Sequence, residues 1–337
     1  MPEIRLNPIT GDWVIIATER ARRPEEFVKK EEKKTLPAYS PECPFCPGNE
    51  EKTPGETFRI HDGTSWQVRV VPNKFAALSR DGEPDHKAVG LRKSLNGVGV
   101  HEVIVETPQH HMTTALLPPD QVRRILQASL DRYRTIYQDP RVQQVILFKN
   151  HGEGAGTSLE HPHSQIVGTP VISSEIRLRF DRALRYMDEM GECLFCRVLT
   201  DELEEETRIV AQNSGYVAFV PYAALSPFHL WIFPRRHRSF FGGLEDLELE
   251  PLAELLRLTL AKLYYGLNNP DYNYVVRSVP AVDPKREYFH WYMSIVPRLS
   301  KAAGFELGSG MFINTALPEQ SARLLRETQI PAQESGF

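Results

Sequence analysis

One set of metal-ligating residues occurs twice along this chain, in the same order, and that repetition limits the folds open to it. Cys43 and Cys46 precede His110 and then His161, while Cys193 and Cys196 precede His237 and then His290. Two thiolates on one tight turn approach a single ion from adjacent tetrahedral corners, and two imidazoles from remote segments complete a closed shell of the kind Zn2+ prefers. Cys46 and His110 are 64 residues apart and Cys196 and His237 are 41 apart, which fits no short zinc-finger pattern and requires each half to fold back on its own Cys-x-x-Cys turn. His111 and His229 are the competing ligands. All four cysteines lie in these pairs, so in a reducing compartment they imply metal binding or redox chemistry rather than a disulfide framework. The redox alternative is the weaker one, because neither pair reads as a thioredoxin-like strand-to-helix turn. Four protein ligands leave no open position for an activated water, so both sites are expected to be structural.

The repeat extends beyond the ligands. Val71-Pro72-Asn73-Lys74-Phe75-Ala76-Ala77-Leu78 resembles Val220-Pro221-Tyr222-Ala223-Ala224-Leu225. β-like runs at 101–107 and 228–233 lead to the turns bearing His110 and His237, and apolar residues recur at helical spacing over 120–139 and 247–267. β-rich segments follow at 142–149 and 272–279, then a last strand holding His163 or His290. The duplication predicts an α+β fold of two halves, each an antiparallel sheet with a long helix against it, related by a pseudo-twofold axis. The halves are expected to span 1–171 and 172–337, with a helix and acidic turn over 172–206 at the join. The charge runs 29–34 and 201–206 are expected to be solvated loops, and 29–41 and 79–97 to be surface excursions.

At 337 residues and 41% apolar side chains the chain can bury a substantial core. Its 40 basic and 44 acidic residues are intermixed and leave a net charge of −4, which favours neither nucleic acid nor an anionic membrane. There is no basic stripe of a DNA-binding zinc protein. No apolar run approaches the roughly 18–20 residues needed to span a bilayer, and the residues after Met1 lack a signal-like apolar core, so a cytoplasmic location is the default expectation.

Only the first half carries an extra histidine beside a proposed ligand. Gly152, Gly154 and Gly156 precede His161-Pro162-His163-Ser164-Gln165. A glycine-rich loop lets backbone N–H groups approach phosphate oxygens, and Ser158 can add a hydroxyl. Imidazole attacks phosphorus and leaves again when the phosphoramidate is itself attacked, which makes His163 the candidate nucleophile. The competing role for His163 is a second ligand or a buried histidine. If the segment from 161 to 168 is extended, His163 and Gln165 share a face and His161 ties the strand to the metal. Gln165 cannot exchange protons at neutral pH. It can donate a hydrogen bond to a phosphoryl oxygen while activating no water, which favours transfer over hydrolysis.

These residues resemble the galactose-1-phosphate uridylyltransferase family of the histidine-triad superfamily. The resemblance covers nearly the whole chain and includes Asn7-Pro8-Ile9-Thr10-Gly11-Asp12-Trp13 with Arg20, Arg23 and Pro24, then Asn73 to Leu78 and Asn150 to Ser158. It implies a ping-pong exchange in which the histidine matching His163 takes the nucleotidyl group of a nucleotide sugar, releases sugar 1-phosphate, and passes the group to a second phosphorylated acceptor. It also implies contacts to nucleotide or phosphates from Arg20, Arg23, Asn73, Asn150, Gly156, Ser158 and Gln165, and a homodimer. His290-Trp291 is followed by Ser294 and Val296 where many bacterial members have further histidine ligands. The second Cys-x-x-Cys and His237 are instead similar to the two-zinc branch that includes ADP-glucose phosphorylase, as is the segment Gly304 to Gly310. The expected activity is therefore hexose-1-phosphate uridylyl transfer from UDP-glucose. The alternative is a phosphorylase acting on ADP-glucose or a dinucleoside polyphosphate with phosphate as acceptor, and a more remote one is a non-catalytic nucleotide-binding protein.

Overall fold

The computed structural model describes residues 1–17, 24–28, 35–280 and 287–331. In chain order its first half contains β1 (Glu3–Leu6), β2 (Trp13–Ile16), β3 (Phe58–His61), β4 (Trp66–Pro72), β5 (His86–Val89), β6 (Arg92–Leu95), β7 (Val100–Val105), α1 (Pro119–Ile136), β8 (Gln144–His151) and β9 (His163–Thr169). There follow α2 (Ser174–Met190), α3 (Leu194–Glu205), β10 (Ile209–Gln212), β11 (Tyr216–Phe219), β12 (Leu230–Pro234), α4 (Asp246–Gly266), β13 (Tyr272–Arg277), β14 (Tyr292–Pro297), α5 (Gly304–Ser309), β15 (Phe312–Asn314) and α6 (Pro318–Glu327).

Ten of these strands form one antiparallel sheet in the order β10-β11-β12-β14-β13-β8-β9-β7-β4-β3. Read outward from its centre the order is the same on both sides, so β8 matches β13, β9 matches β14, β7 matches β12 and β4 matches β11. At the central pair β8 and β13 run antiparallel and Phe148 stands opposite Val275, its own counterpart. That register is what a pseudo-twofold axis produces, and it is the duplicated α+β architecture the repeat predicts. The two long helices pack against each other and against the sheet. In α1, Val122, Ile125, Leu126, Tyr133 and Ile136 are buried along one face, which makes a single apolar stripe. Pro119 opens this helix, where a missing N–H costs nothing; α4 opens with a reciprocal capping box between Glu245 and Glu248.

The alternation along β9 divides its side chains between two environments. Ser164, Ile166 and Gly168 are buried, whereas Gln165, Val167 and Thr169 are partly open. Gly168 admits α1: a Cβ built there would lie 2.5 Å from Ile136 Cγ2 and 3.2 Å from both Val142 methyls. Gly168→Val is accordingly expected to lose about 1–3 kcal/mol through overpacking. A urea-denaturation midpoint equal to that of the unsubstituted chain would show that α1 yields freely.

The corresponding face of the second half is covered. Ile176 and Phe180 of α2 and Phe195 of α3 pack with Trp231, Phe233 and Tyr292 in one buried cluster. Arg179 Nε donates to the Tyr292 hydroxyl at 3.1 Å. Tyr292 occupies the register position of His163, so in the half without the extra histidine a buried tyrosine fills that place.

One local expectation changes, and another gains detail. The run 201–206 was expected as a solvated loop, but α3 continues to Glu205, and its helical spacing turns Glu202 inward with Leu199. Arg208 Nε meets the buried Glu202 carboxylate at 2.9 and 3.2 Å, which compensates the charge. Within 79–97 the chain forms an exposed two-stranded hairpin, β5 with β6. The run 29–34 lies outside the described residues. A separate three-stranded sheet, β1-β2-β15, joins the two ends of the chain.

Candidate functional site

The first Cys/His set closes at the end of β7 and the approach to β9. Cys46 Sγ stands 3.5 Å from His110 Nδ1 and 3.7 Å from His161 Nδ1, and Cys43 Sγ stands 3.7 Å from His161 Nδ1. Sulfur and nitrogen ligands about 2.3 and 2.0 Å from one ion at a tetrahedral angle are about 3.5 Å apart, so the four atoms have the spacing of a tetrahedral shell. Asn49 Nδ2 braces the turn by donating to the Cys43 carbonyl at 2.8 Å. The main-chain N–H of Phe45 reaches Cys43 Sγ at 3.4 Å and that of Ser40 reaches Cys46 Sγ at 3.3 Å. His161 Nε2–H donates to the Thr107 carbonyl at 2.7 Å, which leaves Nδ1 as the lone-pair nitrogen facing the sulfurs. Burial lowers His161 to about 4 and raises the Cys43 thiol to about 11. A buried thiol so reluctant to ionise becomes a thiolate when it binds a cation.

The second set is looser. Cys193, Cys196 and His237 have ligating atoms within 4.8 Å of one another. His290 Nδ1 lies 3.5 Å from Cys196 Sγ but outside the group that is mutually close. Cys193 stands at the residue before the first turn of α3, without a side-chain capping bond. A hydrogen bond from Cys196 draws the Cys193 thiol down to about 5 against the cost of burial. Neither competing ligand joins a set: His111 is exposed, and buried His229 pairs through Nε2 with Ser294 Oγ at 2.8 Å.

β9 begins at His163 rather than His161, so His161 and Pro162 form the approach to the strand. His163 Nδ1–H donates to the His161 carbonyl at 2.8 Å, which makes Nε2 the basic nitrogen, and Nε2 has no protein hydrogen-bond partner among the described residues. The Phe45 ring packs edge-on against the imidazole with centroids 5.4 Å apart. Burial holds the pKa of His163 below the usual histidine range, so the ring is neutral and nucleophilic at neutral pH. It lines a cleft of about 950 Å³ together with Asn150, Gly152, Ser158, Lys149 and Asp271.

Opposite the imidazole runs the glycine loop. Gly152 has φ +82° and Gly156 has φ +87°, bracketing a short turn over Glu153–Ala155. Its far side is held by the second half: Gly154 N–H donates to Asp271 Oδ2 at 2.7 Å, and Asn273 Nδ2 donates to Asn150 Oδ1 at 2.8 Å and to the Ala155 carbonyl at 2.9 Å. Gly156 lies behind Asn150, and Ser158 is exposed on the cleft wall. Asn73 and Gln165 meet on the strand face that bears His163. Gln165 Oε1 accepts from His101 Nε2–H at 2.8 Å and from Asn73 Nδ2 at 3.2 Å, so its amide N–H2 is the end left to donate to a ligand. Arg20 and Arg23 lie outside the described residues.

The sequence reading missed the groups that hold the site from behind and from across the molecular centre. Asn269, Asp271 and Asn273 belong to the other half, with Asn269 Oδ1 2.9 Å from His151 Nε2. Lys149 and Glu106 form a fully buried ion pair, Nζ to Oε2 2.6 Å. A lysine in step with Val145 and Leu147 on an inward strand face was the available signal for that pair.

Similarity to several known proteins runs nearly end to end. The family model described as galactose-1-phosphate uridyl transferase, N-terminal domain, matches residues 1–173. ADP-glucose phosphorylase of Arabidopsis thaliana is 36% identical over 334 residues, covering 98% of this chain and 93% of the relative. Galactose-1-phosphate uridylyltransferase of Thermotoga maritima is 29% identical over 340 residues, covering 98% and 99%. The crystal structure of the Arabidopsis thaliana ADP-glucose phosphorylase with bound ADP-glucose superposes with a TM-score of 0.83 at 32% identity, covering 98% of this chain and 100% of that one. A solved uridylyltransferase gives 0.75 at 31% identity, covering 97% and 98%. With its site geometry and end-to-end similarity to these transferases, the chain belongs to the galactose-1-phosphate uridylyltransferase family and is an enzyme, a nucleotidyltransferase of that type.

Proposed function

We propose that the enzyme carries a nucleotidyl group on His163 between two phosphorylated sugars, with UDP-glucose as donor and a hexose 1-phosphate as acceptor. The observation that carries this reading is the His163 ring itself: Nδ1–H tied to the His161 carbonyl, Nε2 bare toward a cleft walled by the glycine loop. Nε2 attacks the α-phosphorus, the P–N bond forms, the bond from phosphorus to the bridging oxygen breaks, and sugar 1-phosphate leaves with the electron pair. Positive charge that develops on the ring is met at Nδ1–H by the His161 carbonyl. The incoming phosphate oxygen reverses the sequence and restores the neutral imidazole. Gln165 N–H2, the Ser158 hydroxyl, Asn150 and Asn73 are assigned to phosphate and nucleotide contacts, with Gly156 shaping the loop, and Arg20 and Arg23 complete the set by family resemblance.

Zn2+ is the ion we assign to both Cys/His sets. Cys43, Cys46, His110 and His161 would hold it in the first, and Cys193, Cys196, His237 and His290 in the second. There the ion supplies a structural tie. Through His161 the first tie fixes the carbonyl that orients His163. The end of β9 at Thr169 and the start of α2 at Ser174 support a boundary between the two halves near residue 171.

A second reading, ADP-glucose as donor with phosphate as acceptor, is favoured by the second Cys/His set and by the 36% identity to ADP-glucose phosphorylase. α-Phosphorus-labelled UDP-glucose and ADP-glucose, supplied separately and followed by galactose 1-phosphate or phosphate, distinguish the two. Labelled UDP-galactose supports the first and labelled ADP the second. No protein-bound label from either donor sinks both.

A further inference from the structure

Beside the candidate nucleophile the large sheet loses its pairing between two strands that its second half keeps paired. Between β8 and β9 the ladder runs from Gln144 opposite Thr169 to Phe148 opposite Gln165, and there it stops. The matching ladder of the second half, β13 with β14, passes Val275 opposite Ser294 and continues through Met293 to Arg277 opposite Tyr292. Ser294 stands where Gln165 stands, and Tyr292 where His163 stands. The first half has therefore given up the pairs that would have brought Lys149 opposite Ser164 and Asn150 opposite His163. The gap lets Asn150 turn to Asn273 and leaves the glycine loop to form the cleft wall.

That opening leaves the His163 carbonyl without a ladder partner. Main-chain carbonyls alternate between the two sides of a strand. The Pro162 carbonyl faces β7, where it accepts from Glu106 N–H at 3.1 Å, so the His163 carbonyl faces β8 and the missing ladder partner. Lys149 Nζ stands 3.3 Å from it. Lys149 is 1% exposed and Glu106 0%, and Glu106 Oε2 also accepts from Thr114 Oγ1 at 2.9 Å. Burial pulls the Lys149 ammonium below the usual lysine range and the Glu106 carboxylate opposes that pull. The register of the second half puts Val276 in place of Lys149 and Pro234 in place of Glu106, so the pair occurs only where the ladder is broken.

We propose that Lys149, neutralised by Glu106, is a positioning residue whose ammonium replaces the ladder hydrogen bond surrendered at His163, so that the sheet opens a cleft without releasing the strand that aims the imidazole. The inference rests on the covalent-histidine reading. Its effect is on the geometry of attack, where a misplacement of about 1 Å costs about 10²-fold in rate.

The test is single-turnover labelling of the full chain by α-phosphorus-labelled UDP-glucose or ADP-glucose over a range of donor concentrations, which separates the maximal rate from the half-saturating concentration. Lys149→Met is expected to lower the maximal rate by about 10²-fold with the half-saturating concentration unchanged. Lys149→Arg keeps the charge and the donors and is expected to recover most of that rate. Should the lone Met variant fail to fold because Glu106 is left charged and unpaired, the double variant Glu106→Gln with Lys149→Met removes both charges and carries the same expectation. Labelling at the unsubstituted rate in a folded Met variant overturns the proposal. So does a raised half-saturating concentration at constant maximal rate, since that makes Lys149 a binding group, and so does an Arg variant as slow as the Met one. An unsubstituted chain that takes label from neither donor overturns the covalent reading instead, and the inference falls with it.

Discussion

His163→Gln is expected to take up no covalent label from either nucleotide sugar and to lose turnover by about 10⁴-fold or more, the scale on which removal of a nucleophile reduces catalysis. The glutamine side chain fills nearly the same space and can still donate toward the cleft, so donor binding should survive. What disappears is the basic Nε2. The tautomer is set from outside the ring, by the 2.8 Å bond from Nδ1–H to the His161 carbonyl. Equilibrium binding of the donor, measured by calorimetry beside quench-flow labelling, separates the two effects. A glutamine variant that retains label would move the covalent step to another residue and leave Gln165, Asn150 and Ser158 without the reaction centre assigned to them.

Much of this site was legible in the sequence because metal ligands and nucleophiles announce themselves by residue type. The order Cys-Cys-His-His picked out four residues that the fold brings together in the first half and, in the second, three that cluster with His290 set slightly apart, and the extra histidine at 163 lies on the cleft. Element positions followed from periodicity, with errors where local chemistry overrides it. The helix expected over 120–139 ends at Ile136, because Pro140 pushes the residue before it out of the helical region. The charge run at 201–206 hid a helix end, since Glu202 is charged by composition yet inward by helical phase. Contacts made across the centre of the sheet were beyond sequence reading altogether. Asp271 and Asn273 reach the glycine loop only because β13 pairs with β8, a register set by packing of two helices and two half-sheets rather than by any local motif. The direction of the Gln165 amide likewise depends on His101 and Asn73, which arrive from β7 and from the turn after β4.

Cys46→Ser is expected to have the second largest effect, because it damages stability and alignment together. Cys46 Sγ lies near both histidines of its set, so its loss removes the donor that links them. Affinity for the first ion should fall by well over the 10–100-fold that loss of an outer-shell partner alone costs. Since binding energy of a structural ion is folding energy, a loss of about 3 kcal/mol in a chain of this length would lower the thermal midpoint by about 4 °C. The same ligand set fixes His161, whose carbonyl orients His163, so labelling should fall even at temperatures where the chain remains folded. Cys196→Ser provides the contrast. Its set closes around the amino end of α3, on the half where Tyr292 stands in place of His163 and α2 covers the face. That variant should lose one ion and some stability while labelling at low temperature continues. Metal content, melting curves and labelling rates measured on the two variants decide the matter. If Cys46→Ser loses its ion yet labels at the unsubstituted rate, the His161 carbonyl is held by the Thr107 bond and the strand alone, and the ion has no part in aiming the imidazole.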